Sequence, residues 1–259
     1  MKTPIYLPTG GAMRIAFFSS GGPGNFAAAL ELATARRFNI QIACLVVDRD
    51  GTPSEALAKR EGIDVVKVDF LGRLRGLQGA ARHEEASGLF DEVLEGIGQV
   101  ERKTHPIDIC ALAFRQVLVG KILARFEGRI INQHPADLSV FDVNSRTRRY
   151  TGIEGLAKSI ADGARSTRTS TILINEGVDT GEILVQGPEV PVSEGSSPEA
   201  IRRHEEKQKR LSDWPSIKTT LALLSEGRIA LGRKRRWHDG CRAVYVDGRE
   251  VPYCGLQLA

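Results

Sequence analysis

Short apolar runs alternate along this chain with alanine-rich stretches that favour helix, and that alternation limits the fold more than any other feature. Arg14–Phe18 is the first run; Ser19-Ser20-Gly21-Gly22-Pro23-Gly24-Asn25 follows it, and Phe26–Ala33 then favours helix. This is strand, glycine loop, helix. A second run, Ile40–Val47, stops at Asp48–Pro53, after which Ser54 is placed to cap a helix over Glu55–Glu61. Val65–Val68 reads as a third strand, residues 71–104 as a long helical region broken by glycine, and Ile107–Ala113 as a fourth, buried strand. Val117–Phe126 is expected to be helix and Arg129–Asn132 a fifth strand. Strands that alternate with helices predict an α/β domain with a doubly wound, mostly parallel sheet.

Beyond residue 135 the pattern changes. Ala136–Tyr150 has little periodicity and reads as a long loop, which in a compact domain usually serves function. A helix is expected over Gly152–Asp162. Thr169–Asn175 and Glu182–Gln186 suggest an antiparallel pair, and Pro198–Glu226 a helical stretch broken near Trp214-Pro215. Residues 228–254 alternate strand-like runs with Asp-Gly turns. The expected division is an N-terminal extension at 1–12, a main domain at 13–227 and an antiparallel tail at 228–259.

Two stretches carry the chemistry. Ile131-Asn132-Gln133-His134-Pro135 ends one apolar run, and Glu176-Gly177-Val178-Asp179-Thr180-Gly181 ends another. Open α/β sheets keep ligands where strands give out. Asn132, His134 and Asp179 supply an amide, an imidazole and a carboxylate, enough to steady an oxyanion and move a proton without metal or covalent intermediate. Taken one at a time, the same residues are also ordinary turn formers.

Composition leaves room for an enzyme without naming one. The 259 residues suffice for a sizeable core, and 36 Lys and Arg against 32 Asp and Glu leave only +4, too little to demand nucleic acid. Cys44, Cys110, Cys241 and Cys254 form no CxxC pair and are expected as reduced thiols. No apolar stretch approaches the roughly 20 residues of a membrane span, and the N-terminus lacks a signal-peptide core, so a cytoplasmic protein is expected. His83, His105, His204 and His238 have no metal-ligand spacing, and no metal is expected.

The glycine loop, Asn132-Gln133-His134-Pro135, Glu176–Gly181 and the helix end Ser225-Glu226-Gly227-Arg228-Ile229 stand in the order and rough spacing of the formyl transferase family. The chain resembles that family over about residues 13–240, most of all its branch acting on glycinamide ribonucleotide. The resemblance implies a Rossmann-like fold and formyl transfer from N10-formyltetrahydrofolate to a primary amine, with Asn132, His134 and Asp179 at the reaction centre. It assigns the acceptor's phosphate to Gly22, Gly24 and Asn25, where a helix N-terminus can hold an anion, although a tight strand-to-helix connection explains the same letters. The folate is assigned to the segment with Phe114, Arg115, Val117 and Leu118, which also reads as an amphipathic helix start.

Two departures bear on the acceptor. The loop after Pro135 is longer and more basic than in the family, with Arg146, Arg148 and Arg149 as possible acceptor contacts or a solvated face, and Ile172 stands where the ribonucleotide enzymes commonly have histidine. A specialised amine, such as an amino sugar nucleotide or a secondary-metabolite intermediate, is therefore the alternative acceptor. Hydrolysis of formyltetrahydrofolate comes next, since deformylases of this fold carry an N-terminal regulatory domain and only about 13 residues precede the first strand; a non-catalytic folate or nucleotide binder is last. Arg233-Lys234-Arg235-Arg236 raises a nucleic-acid partner, but the relatives that act on tRNA carry a larger C-terminal domain, and a polar strand face is expected instead. The partners expected are a small amine and folate, with no nucleic acid or membrane, in a monomer or homodimer.

Overall fold

The computed structural model describes residues 2–142, 144–193 and 195–259, with the Arg235 side chain also outside the description. The fold is α/β. Contacts divide it into two compact units, Gly10–Ile131 and a second made of Met1–Thr9 with Asn132–Ala259, so the boundary falls inside the strand Ile130–His134.

In the first unit Met13–Ser19 is the central strand, buried along its whole length. It pairs in parallel with Ile40–Val47 on one side and Ile109–Ala113 on the other, and Asp64–Lys67 adds in parallel beyond Ile40–Val47. The long apolar runs of the sequence are these strands, hydrophobic on both faces because both faces are covered. Cys44 and Cys110 lie within them as free thiols, and burial pushes Cys44 up to about 12. The expected helix at 55–61 is Pro53–Arg60, and its cap is Thr52 rather than Ser54: Thr52 Oγ1 accepts from the Glu55 amide at 3.1 Å, while Ser54 is buried and hydrogen-bonded to Ser19. The glycine-broken region is two helices, Phe70–Arg73 and Gly79–Lys103. The long one runs unbroken through three glycines, and at Gly96 a Cβ would lie 2.5 Å from Val66 Cγ1. Only Lys121–Arg125 of the expected 117–126 helix forms. Gly120 precedes it with φ +77°, and a Cβ there would lie 2.4 Å from Ser87 Oγ, so the chain passes close to the long helix in a conformation that helix cannot continue.

In the second unit Ser170–Leu173 and Ile183–Gln186 form the expected antiparallel pair, both wholly buried. Ile130–His134 lies beside Ser170–Leu173, and Leu256–Gln257 pairs in parallel with Ile183–Gln186. The segment 198–226 does not break at Trp214-Pro215. Pro198–Gln208 passes through a π-helical turn, Lys209–Asp213, into Trp214–Ser225, where Pro215 sits in the opening turn and needs no amide partner. The N-terminal extension and the tail share one antiparallel sheet, with Lys2–Pro4 paired to Ile229–Arg235, then Arg242–Val246 and Arg249–Glu250. Residues 136–150, expected as an irregular loop, contain a small hairpin. Phe141 bridges Arg148 antiparallel, and backbone bonds join Asp142 N to Thr147 O and Arg149 N to Val140 O, each at 2.9 Å.

Two glycines of the long helix, Gly96 and Gly88, give predictions of opposite sign. Gly96→Val is expected to destabilise the protein by about 1–3 kcal/mol in urea unfolding, because the added atoms collide with Val66. Gly88→Ala, exposed and with nothing within 4 Å of its Cβ position, is expected to stabilise by up to about 1 kcal/mol.

Candidate active site

The strand Ile130–His134 presents alternate side chains to opposite faces, so Asn132 and His134 share a face and Gln133 takes the other. Gln133 is buried and donates to Thr171 Oγ1 at 2.6 Å, which fixes the strand's rotation. Asn132 is half-buried, and among the described residues its side-chain amide has no hydrogen-bond partner.

His134 is buried and held from both ends. Its Nδ1 stands 3.2 Å from Asp179 Oδ2, and its Nε2 lies 2.7 Å from the Tyr150 carbonyl. A carbonyl oxygen only accepts, so Nε2 carries a proton, and the Nδ1–Oδ2 contact is a hydrogen bond when a second proton stands between them. Burial lowers the His134 pKa, while the Asp179 carboxylate and the Tyr150 carbonyl pull it up and Arg148 opposes them. Burial is the largest of these effects, so the His134 pKa lies below the ordinary imidazole value.

Asp179 reaches this position through an unusual backbone. Its φ is +53°, a left-handed conformation that aspartate tolerates better than most residues. The flanking glycines explain the rest of the motif. At Gly181 a Cβ would sit 1.9 Å from the Leu173 carbonyl, and at Gly177 it would sit 2.2 Å from Thr180 Oγ1. Asn175 Oδ1 accepts from Gly177 N at 3.0 Å and from Thr180 Oγ1 at 2.7 Å, closing the turn. The Asp179 carboxylate accepts the Gly152 amide at 2.7 Å, and its backbone carbonyl accepts from Arg148 at 2.7 Å. Gly155 is the matching small residue across the ring, for a Cβ there would lie 2.9 Å from His134 Nε2.

The three loop arginines have different fates. Arg146 is exposed with φ +54°, and Arg149 is exposed and pairs with Asp162 at 3.0 Å. Arg148 is buried, and its guanidinium is engaged by Asp179, Tyr253, Asp239 and Cys241. Arg148, expected as a possible acceptor contact or part of a solvated face, is thus engaged by the protein's own framework. Sequence reasoning missed this, as it missed the Tyr150 carbonyl and the Gly152 amide, because backbone groups leave no mark in a motif. It also passed over two large exposed apolar side chains, Ile153 next to Gly152 at 76% exposure and Val178 next to Asp179 at 51%.

The remaining candidates belong to the first unit. Gly22 is exposed with open space around its Cβ position, and Gly24 opens the helix Gly24–Thr34, which has no side-chain cap and no acidic residue in its first turn. Asn25 Oδ1 is buried and has no hydrogen-bond partner among the described residues. Arg115 donates its backbone amide to Ser20 Oγ at 2.8 Å, tying the segment after the fourth strand to the glycine loop, and its side chain is exposed. Phe114 is packed edge-on against Phe18 and Phe70, with ring centroids 5.6 and 5.7 Å away. Leu118 is buried and Val117 is 61% exposed, so of the apolar folate candidates Val117 presents most surface. Arg233 and Lys234, in the strand Ile229–Arg235, and Arg236, just beyond it, are exposed, and the Arg235 side chain lies outside the described residues. Among the described residues, no group of three His, Cys, Asp or Glu side chains can hold a metal, and no helix is long and apolar enough to cross a membrane.

The formyl transferase family profile matches residues 13–212. Phosphoribosylglycinamide formyltransferase of Mycobacterium tuberculosis is 27% identical over 234 residues, 90% of this chain and 95% of that protein. The enzyme of the same name from Bacillus subtilis is 25% identical over 219 residues, 84% and 99% of the two chains. Among solved structures, a phosphoribosylglycinamide formyltransferase from Coxiella burnetii superposes with a TM-score of 0.66 at 18% identity, covering 96% of this chain and all of that one. A formyltetrahydrofolate deformylase from Pseudomonas syringae superposes with a TM-score of 0.65 at 18% identity, covering 91% of this chain and 66% of its own.

The state of His134 sets a pH dependence. Its folded pKa lies below the ordinary value of about 6.5, so protonation costs more in the folded than in the unfolded chain. Stability is expected to fall as pH drops below about 6.5 towards that lower value. His134→Gln should remove part of this loss in urea unfolding between pH 7.5 and 5; an identical pH slope in the variant would count against the buried, neutral ring.

Proposed function

The chain belongs to the formyl transferase family, and from that premise we propose that it transfers the formyl group of N10-formyltetrahydrofolate to the primary amine of glycinamide ribonucleotide. The observation that carries the reading is the juxtaposition of His134 with Asp179 on the unit that also bears Asn132. Its support from kinship is near-full-length similarity to proteins named for this reaction.

The donor supplies an activated formyl carbon. The amine attacks it as a neutral nucleophile, and negative charge gathers on the formyl oxygen. The Asn132 amide, with no partner to lose among the described residues, is the donor for that charge. Both His134 nitrogens are occupied by protein groups, so His134 serves the proton rather than the oxyanion. As the C–N bond forms, the amine nitrogen becomes acidic, and the His134–Asp179 pair takes its proton into the Nδ1–Oδ2 contact. Collapse breaks the bond between the formyl carbon and N10, and the same proton passes to N10. Ile153 and Val178 supply apolar surface suited to the flat ring system of the donor. In the first unit, Gly22, Gly24 and Asn25 suit the acceptor's phosphate: an uncapped helix N-terminus favours an anion, and the absence of a first-turn carboxylate leaves it unopposed.

Absorbance-detected release of deformylated folate, with and without glycinamide ribonucleotide, tests the reading. Turnover that depends on the ribonucleotide is expected; donor hydrolysis without it would instead establish a deformylase. Asn132→Ala is expected to lower kcat by about 10²–10³, the usual loss for one oxyanion donor. Gly22→Val, for which the fold has room, should raise the KM of the ribonucleotide and leave that of the folate unchanged. An unaltered acceptor KM would sink the phosphate assignment.

A further inference from the structure

We infer that Arg148, seated in a socket formed by Asp239, Cys241 and Tyr253, is a positioning residue that holds Asp179 against His134. The inference rests on the proposed transfer reaction for its kinetic consequence and on geometry alone for its structural one. The segment leaving the hairpin touches the catalytic pair at every second residue. Arg148 donates to the Asp179 backbone carbonyl at 2.7 Å, the Tyr150 carbonyl meets His134 Nε2 at 2.7 Å, and the Gly152 amide meets Asp179 Oδ2 at 2.7 Å. One short segment thus reaches both partners, Arg148 through its side chain and Tyr150 and Gly152 through their backbone.

Arg148 is the anchor of that segment. Beyond its bond to Asp179, Nε donates to Tyr253 Oη at 2.8 Å, and a terminal nitrogen lies 3.3 Å from Asp239 Oδ2 and 3.4 Å from Cys241 Sγ. The socket is itself braced: Tyr253 Oη donates to Asp239, and the Cys241 amide donates to Asp239 Oδ1 at 3.0 Å. Cys241 Sγ donates in turn to the Thr180 carbonyl at 3.2 Å, giving the tail a second hold on the same turn. The first strand of the hairpin is tied to the tail as well, with the Phe141 ring 4.2 Å from His238 and 5.1 Å from Tyr253.

The target of this network identifies its purpose. Arg148 grips the backbone of the one residue in the Glu176–Gly181 turn whose φ is positive without being glycine. A residue in that region needs its surroundings to hold it there, and rotation of its peptide would swing the carboxylate away from the ring. Asp239, Cys241 and Tyr253 lie beyond the 13–212 span of the family profile.

The test uses the full-length protein labelled with ¹⁵N-histidine, the His134 ring signals being assigned by their loss in His134→Gln. Arg148→Lys keeps the charge and loses the planar fork, and Tyr253→Phe removes one hydroxyl. Each is expected to shift the His134 ring resonances while those of His83 and His105 stay in place. In steady-state kinetics Arg148→Lys should lower kcat tenfold or more with both KM values within twofold, and Tyr253→Phe should do so to a smaller degree. His134 resonances that superpose on the wild type in both variants would overturn the inference, as would a raised acceptor KM at unchanged kcat, which would make Arg148 a substrate contact. If the wild type does not turn over glycinamide ribonucleotide, the proposed reaction fails and the ring resonances still decide the positioning role. If Arg148→Lys does not fold, Tyr253→Phe decides it.

Discussion

Everything proposed for this protein depends on one buried contact, His134 Nδ1 to Asp179 Oδ2, closed from behind by the Tyr150 carbonyl. Burial alone makes an imidazole a poor home for a proton. A carboxylate beside it restores part of that affinity. The Nδ1–Oδ2 contact is placed to hold the proton that an amine gives up on acylation. Removing either partner would leave the other as an ordinary buried polar group.

The fold serves that contact by ending two strands near it. Ile130–His134 carries the amide and the imidazole on one face, and the turn after Ser170–Leu173 brings the carboxylate. Gly177 and Gly181 are needed where they stand because side chains there would strike Thr180 and Leu173. Asp179 itself takes the strained position, and the hairpin segment 148–152 together with the tail supplies the bonds that hold it. The longer, basic loop that sets this chain apart from the family pattern is therefore bound up with its C-terminal residues, which pack against it.

Much of this was legible in the sequence, for identifiable reasons. The parallel strands show as apolar runs because they are covered on both faces, and Asn132, His134 and Asp179 stand out because polar residues at strand ends are conspicuous. The helix at 117–126 was overcalled because nothing in the letters reveals that Gly120 lies against Ser87 with a positive φ. The break expected at Trp214-Pro215 was overcalled too, since a π-helical turn absorbs what a proline alone suggests. Arg148 reads as an acceptor contact or part of a solvated face because its side-chain partners Tyr253, Asp239 and Cys241 lie 105, 91 and 93 residues away in the chain. Long-range partnership leaves no local pattern.

A crystal structure with glycinamide ribonucleotide and a non-transferable folate analogue bearing the formyl group tests the central claim most directly. The account predicts the formyl oxygen within hydrogen-bonding distance of Asn132 Nδ2, the amine nitrogen on the side of the His134–Asp179 pair, and that pair still in contact. Ligands seated with Asn132 unpartnered, or with His134 drawn off Asp179 to bond the formyl oxygen, would contradict it.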